Sequence, residues 1–219
     1  MSIKRLHDRD ESGEQISLAV FSLTLPQQLA YEVDALCVFT GQGEDARVIQ
    51  PIKAYWENEK TKNRFLLVPG YHKDEHTWRE ITKETLSQKP FEIKRLKGLH
   101  VSSSFVTTRD QAQWAIEKVK ELGITSCGIL SSQFHLVRAY ATTLACMHAA
   151  DIKIPIIPIP IYVAPSSVIP ETAVTAWDML QGEVERISAY QKKGDVISYE
   201  KFREYIDWLW EQQIIKNNV

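Results

Sequence analysis

The sequence predicts an α/β protein: a Rossmann-like, mainly parallel sheet with helices on both faces, followed by C-terminal helices. Three observations carry this. Short apolar runs bounded by Gly or Pro alternate with segments of helical periodicity through the middle of the chain, as β-α-β units require. The runs are apolar throughout instead of alternating, as strands buried on both faces must be. Beyond residue 170 only helical periodicity remains.

Residues 35–40 (Ala-Leu-Cys-Val-Phe-Thr) and 64–68 (Arg-Phe-Leu-Leu-Val) read as buried parallel strands, each followed by a helical pattern. The best-marked helix spans 108–122. Ala112, Ala115, Ile116, Val119 and Leu122 share one face, Thr107 or Thr108 caps the start, Asp110 lies in the first turn and Gly123 stops it. A strand at 127–130 leads into a helix over 134–149 with Val137, Tyr140, Leu144 and Met147 inward. Residues 154–161 read as another strand, and Pro155, Pro158 and Pro160, which cannot donate ladder bonds, put it at an edge. After a loop over 165–170, helices are expected over 172–192, with Trp177, Leu180, Val184 and Ile187 in register, and over 198–215, with Phe202, Tyr205, Ile206, Leu209 and Trp210. Both stripes read as core. The 219 residues are read as one domain, with its recognisable core over 35–163 and a helical extension over 172–215.

Composition narrows the function. With 44% hydrophobic and 25% charged residues and a net charge of −2, the chain offers no electrostatic case for nucleic acid or an anionic membrane. Residues 1–14 are charged instead of apolar, and the longest apolar run is broken by prolines, so neither a secretory signal nor membrane insertion is expected and the reading is cytoplasmic. Cys37, Cys127 and Cys146 lie in apolar segments without metal or disulfide spacing, as buried thiols do.

Most of the functional signal lies in residues 128–139. A buried strand opens onto Ser131, Ser132 and Gln133, then a helix carrying His135 and Arg138, which at i, i+3 face the same way. In open α/β sheets ligands bind outside the carboxyl ends of strands, where helix N-termini offer free amides to an anion. The competing account is an ordinary capped helix start. A second signal, Gly41-Gln42-Gly43-Glu44-Asp45-Ala46, has the form of the dinucleotide fingerprint after a strand. The acid that would hold a ribose hydroxyl is missing, because the second strand ends Val68-Pro69-Gly70, so a phosphate approach is favoured over a nicotinamide cofactor. The string His72-Lys73-Asp74-Glu75-His76 matches H-x-x-E-H, a zinc-hydrolase pattern that works only on a helix. Only one residue beyond Pro69-Gly70, it reads better as a charged loop, and no metal ligand is nominated.

Three blocks resemble the YdcF/SanA/ElyC-like family, a bacterial domain without a settled reaction. They are Phe39-Thr40-Gly41-Gln42-Gly43 with Arg47; Val68-Pro69-Gly70-Tyr71 with Glu75 or Glu80; and Thr107-Thr108-Arg109-Asp110-Gln111-Ala112 together with Ser131-Ser132-Gln133-Phe134-His135-Leu136-Val137-Arg138-Ala139. The last string is the specific one. Pro69 and Tyr71 replace a Ser and a Gly of the family pattern, and Gln111 replaces an Asn. The resemblance covers residues 35–147 and implies a Rossmann-like sheet with a polar cleft.

The resulting expectation is a protein that binds a small anionic metabolite, such as a nucleotide, an S-adenosylmethionine-like compound or a phosphosugar, with a transferase or hydrolase as the chemistry considered. Its cofactor class would be S-adenosylmethionine or another nucleotide. Gly41, Gln42, Gly43 and the amides of Ser131, Ser132 and Gln133 would cradle the anion, with Arg47 and Arg138 neutralising it and His135 donating a hydrogen bond or proton. Gly70, Thr108, Asp110 and Gln111 complete the binding set, and His135 and Arg138 are the catalytic candidates. All should meet at the carboxyl edge of the sheet. At an exposed helix start, His135 and Arg138 should contribute little to folding. Two alternatives stand beside this reading: a non-catalytic regulatory or envelope-related interaction domain, and a metal-dependent hydrolase using His72, Glu75 and His76.

Overall fold

A parallel strand flanked on both sides and covered above and below must be apolar at every position, and Ala35–Val38 (β1) meets that condition with all four residues buried. In the computed structural model, which describes residues 25, 28–102 and 104–217, β1 is the centre of a five-stranded sheet. Its other strands are Phe65–Val68 (β2), Leu99–Val101 (β3), Cys127–Ser132 (β4) and Ile156–Ile161 (β5), in the order β3-β2-β1-β4-β5. Every pairing is parallel. The fold is therefore the expected α/β, Rossmann-like one. Residues 1–14, the basis for expecting no secretory signal, lie outside the described residues.

The chain runs outward from β1 to β2 and β3, then returns to the other side of β1 as β4. Right-handed crossovers in opposite directions put helices on both faces and open a crevice between the carboxyl ends of β1 and β4. A short helix, Leu29–Glu32 (α1), precedes β1. The β1 to β2 connection is Ala46–Pro51 (α2), which continues as a π-helical turn over Ile52–Trp56. Between β3 and β4 runs Thr108–Leu122 (α4), and between β4 and β5 runs Gln133–Ala149 (α5). The α4 signals act as predicted: Thr107 and Asp110 form a reciprocal capping box and Gly123 ends the helix in the left-handed region. The edge position of β5 also follows from its prolines, with Pro158 and Pro160 opposite Ile129 and Ser131.

Several expectations need correction. Only a five-residue helix, Lys83–Ser87 (α3), follows β2, because Pro69-Gly70 starts a run of turns and Thr82 provides the first cap. Strand β3 is too short to show a pattern. The helix expected over 172–192 is Ala176–Lys193 (α6), begun by a Thr175–Asp178 capping box. Its Trp177, Leu180 and Val184, expected in the core, are 67%, 40% and 50% exposed; the buried face carries Ala176, Met179, Glu183 and Ile187 instead. The helix expected over 198–215 divides at an extended Gln212 into Tyr199–Trp210 (α7) and Gln213–Lys216 (α8), and Trp210 is exposed. Cys37 and Cys127 are buried while Cys146 is only partly so, and burial drives the Cys127 thiol up to about 12, leaving it inert. Among the described residues no helix is long and apolar enough to cross a membrane.

Gly98 tests the β2–β3 register. Its φ is +83° and a Cβ there would lie 2.2 Å from the Arg64 carbonyl oxygen, whereas Gly194, at φ +78°, has nothing within 4 Å. In urea denaturation Gly98→Ala should cost about 3 kcal/mol, combining left-handed strain with a backbone clash, and Gly194→Ala about 1 kcal/mol. Equal losses would contradict the close approach of the two strands.

Candidate functional site

Helix α5 is buried along most of its length, because it is covered by β4 and β5 beneath, by α4 on one side and by α6 on another. Polar side chains on it must find partners inside the protein. His135 and Arg138 are 5% and 8% exposed, which overturns the expectation of an exposed helix start. The partner is Glu183 of α6, itself 2% exposed. Nε and Nη2 of Arg138 donate to the two Glu183 oxygens, Nη1 donates to Thr108 Oγ1 at 2.9 Å, and Nη2 also donates to His135 Nδ1 at 3.0 Å. Arg186, closer to solvent, donates to Glu183 Oε1 at 2.9 Å.

Electrostatics follow the burial. Loss of water pushes the Glu183 carboxyl up, but the charge and bidentate bond of Arg138 outweigh it and hold the group well below the usual carboxylate range. Burial, assisted by the Arg138 cation, pushes the His135 imidazole down to about 4, so it is neutral at physiological pH. A second buried pair lies across the crevice. Arg47, 1% exposed, is paired with Glu44, donates from Nε to Ser132 Oγ at 2.6 Å and from Nη2 to Gln42 Oε1 at 3.0 Å. Ser132 Oγ in turn donates to Glu44 Oε2 at 2.7 Å.

Of these side chains, Gln42, Arg47, Thr108, His135, Arg138 and Arg186 border a cleft of about 580 Å³ at the carboxyl ends of β1, β2 and β4. Of the predicted residues, Gly41, Gln42, Arg47, Thr108, Asp110, Gln111, His135 and Arg138 line it. His135, Arg138 and Thr142, spaced by three and four, present the flank of α5 to the cleft. Ser131, Ser132 and Gln133, where β4 passes into α5, do not line it. Ser131 is fully buried in β4 with its hydroxyl unpartnered, Ser132 belongs to the Arg47 pair, and the Gln133 amide is clasped to the Val163 backbone at both ends. Gly70 stands behind the wall, its carbonyl accepting from Gln111 Nε2 at 2.8 Å, and a Cβ on Gly43 would meet Pro170 and Thr77.

The glycine turn differs from a vacant phosphate cradle. Gly41, Gln42 and Gly43 all have positive φ, at 128°, 61° and 70°, and the Gln42 amide donates at 2.6 Å to Glu75 Oε2. A carboxylate of the protein thus occupies the amide. Burial of Glu75, opposed by that amide, leaves its carboxyl above the ordinary value. His72 and His76 sit in turns instead of on a helix: His72 Nδ1 accepts from the Asp74 amide, and His76 pairs with Glu171. The metal-hydrolase spacing therefore does not form, and among the described residues no group of three or more His, Cys, Asp or Glu could hold a metal ion.

Sequence reasoning missed Glu183, Glu44 and the bond between Glu75 and the Gln42 amide, together with Tyr71, Phe105 and Tyr190, which line the cleft. A signal for Glu183 existed, because Ala176, Met179, Glu183, Ile187 and Tyr190 are spaced by three and four on one helix face. No protein-family model and no curated protein matches the chain.

Two outcomes follow. Arg138→Ala strands a buried carboxylate with one exposed partner, so it should cost about 3 kcal/mol in denaturant unfolding, against less than about 1 kcal/mol for Arg186→Ala. The second concerns acid. An unfolded His135 titrates near 6.5 and the native one at about 4, so between these values only the unfolded state binds the proton. Native stability should then rise by about 3 kcal/mol from pH 4 to pH 6.5, with no further loss from this group below pH 4. His135→Gln should flatten that rise in unfolding measured at stepped pH.

Proposed function

We propose that this cleft binds a small metabolite with one anionic group on a polar body, such as a mononucleotide, an S-adenosylmethionine-like compound or a phosphosugar. The observation that carries the reading is a neutral His135 beside Arg138 and Thr108 in a nucleotide-sized cleft at the switch point between β1 and β4. Thr108 keeps a hydroxyl proton to donate while accepting from Arg138. The Phe105 and Tyr190 rings offer apolar faces for a base or sugar.

Charge balance selects among the ligands. Four arginines, Arg47, Arg109, Arg138 and Arg186, and three carboxylates, Glu75, Asp110 and Asp195, line the cleft. The carboxylate partners of Arg47 and Arg138 lie against them. Counted with Glu44 and Glu183, five carboxylates face four arginines and leave no cationic surplus, which disfavours a polyphosphate relative to a ligand with a single phosphate or carboxylate. Glu75, with its raised carboxyl, is the group suited to exchange a proton with a ligand hydroxyl or amine, which keeps transferase and hydrolase chemistry within the proposal. The resemblance of residues 131–139 to YdcF/SanA/ElyC-like domains supports the same reading and is part of it.

Titration calorimetry with AMP, ribose 5-phosphate, S-adenosylmethionine and ATP tests the proposal. AMP or ribose 5-phosphate should bind at least as well as ATP, and His135→Gln should weaken that binding tenfold to a hundredfold, the usual loss of one hydrogen bond to a charged group. Absence of binding by the whole panel, or affinities unchanged in His135→Gln, overturns it.

A further inference from the structure

We infer that Arg138 and Glu183 are positioning residues for His135, fixing its imidazole with the proton on Nε2 so that the cleft engages its ligand through an oxygen acceptor at that nitrogen. A guanidinium can only donate, so the 3.0 Å contact from Arg138 Nη2 takes the lone pair of His135 Nδ1 and leaves the ring proton on Nε2. Glu183 Oε2, 3.5 Å from the same Nδ1, would otherwise draw a proton there. Both Glu183 oxygens are held by Arg138, and one also by Arg186, so the carboxylate acts on the guanidinium and orients it against the ring.

The charges acting on His135 agree with this assignment. Arg138 acts from the same helix, Glu183 from α6 and Arg47 from α2: two cations and one anion, a field that disfavours an imidazolium. His135 lines the cleft with its Nδ1 edge occupied by Arg138, which leaves the Nε2 edge for a ligand. A neutral imidazole N–H there can bond a carbonyl, ester or phosphoryl oxygen and stabilise negative charge that develops on it. This last step rests on the proposed function; the tautomer does not.

Long-range proton–nitrogen NMR of the His135 ring tests the assignment on the intact protein. The native protein should show a bare Nδ1 and a protonated Nε2, with no imidazolium until about pH 4. Arg138→Met releases Glu183 to accept from Nδ1–H, so the ring pKa should rise by about two units or more, the usual effect of exchanging a nearby cation for an unopposed carboxylate. Arg138→Lys, which keeps the charge, should leave the ring neutral at pH 7. A native ring protonated on Nδ1, or an unchanged pKa in Arg138→Met, overturns the inference. If Arg138→Met does not fold, the native tautomer decides alone. Adding AMP or ribose 5-phosphate should shift the Nε2–H proton downfield. Calorimetric binding without that shift overturns the acceptor contact while sparing the proposed function, whereas absence of binding overturns the proposed function and leaves the tautomer as measured.

Discussion

Two guanidinium groups withdrawn from water at the carboxyl end of a parallel sheet set the terms for everything around them. A charge buried alone is costly enough that the protein must supply a partner, and each partner here comes from somewhere specific. Arg138 on α5 takes both oxygens of Glu183 on α6, and Arg47 on α2 takes Glu44 and Ser132 at the end of β4. These bonds are directional where hydrophobic contacts are not. They fix how α6 lies on α5 and how the turn after β1 meets β4, in a region where apolar packing alone would tolerate several registers.

The same pairing changes the character of the cleft. Arginines at the base of a strand-end crevice would ordinarily make it a trap for multiply charged anions. Here carboxylates neutralise them in advance, and Glu75 sits on the Gln42 amide where a phosphate oxygen would otherwise fit. What remains is a surface of hydroxyls, a neutral imidazole, aromatic rings and balanced charges, with much of its orientation fixed by bonds within the protein. Preorganised dipoles of this kind discriminate by geometry more than by charge.

The parts of the fold legible in the sequence are those governed by local rules. Helix α4 announces itself through Thr107, Asp110 and Gly123, and β5 declares its edge through Pro158 and Pro160, because caps and missing amide protons act over a few residues. The convergence of Gly41, Thr108, His135 and Arg138 was legible too, since parallel strands deliver their ends to one edge. What escaped depends on contacts distant in sequence. A stripe of Trp177, Leu180 and Val184 looks like a core face until the neighbouring face, interrupted by Glu183, is seen to have a buried arginine waiting for it. By periodicity alone a carboxylate marks the solvent side of a helix. Strand β3, with His100 among its three residues, is held by pairing with β2 and carries no pattern of its own. The burial of His135 was hidden for the same reason, because it is set by the helices that cover α5.

Glu183 belongs to α6, a helix that follows the last strand and adds nothing to the sheet. A boundary drawn after β5 would keep every strand and sever the site, leaving Arg138 and His135 without the carboxylate that orders them. The strand-end cleft and α6 therefore form one structural unit. Any ancestral recombination or engineered transplant that moved the strand-end cleft to a new chain would have to carry α6 with it.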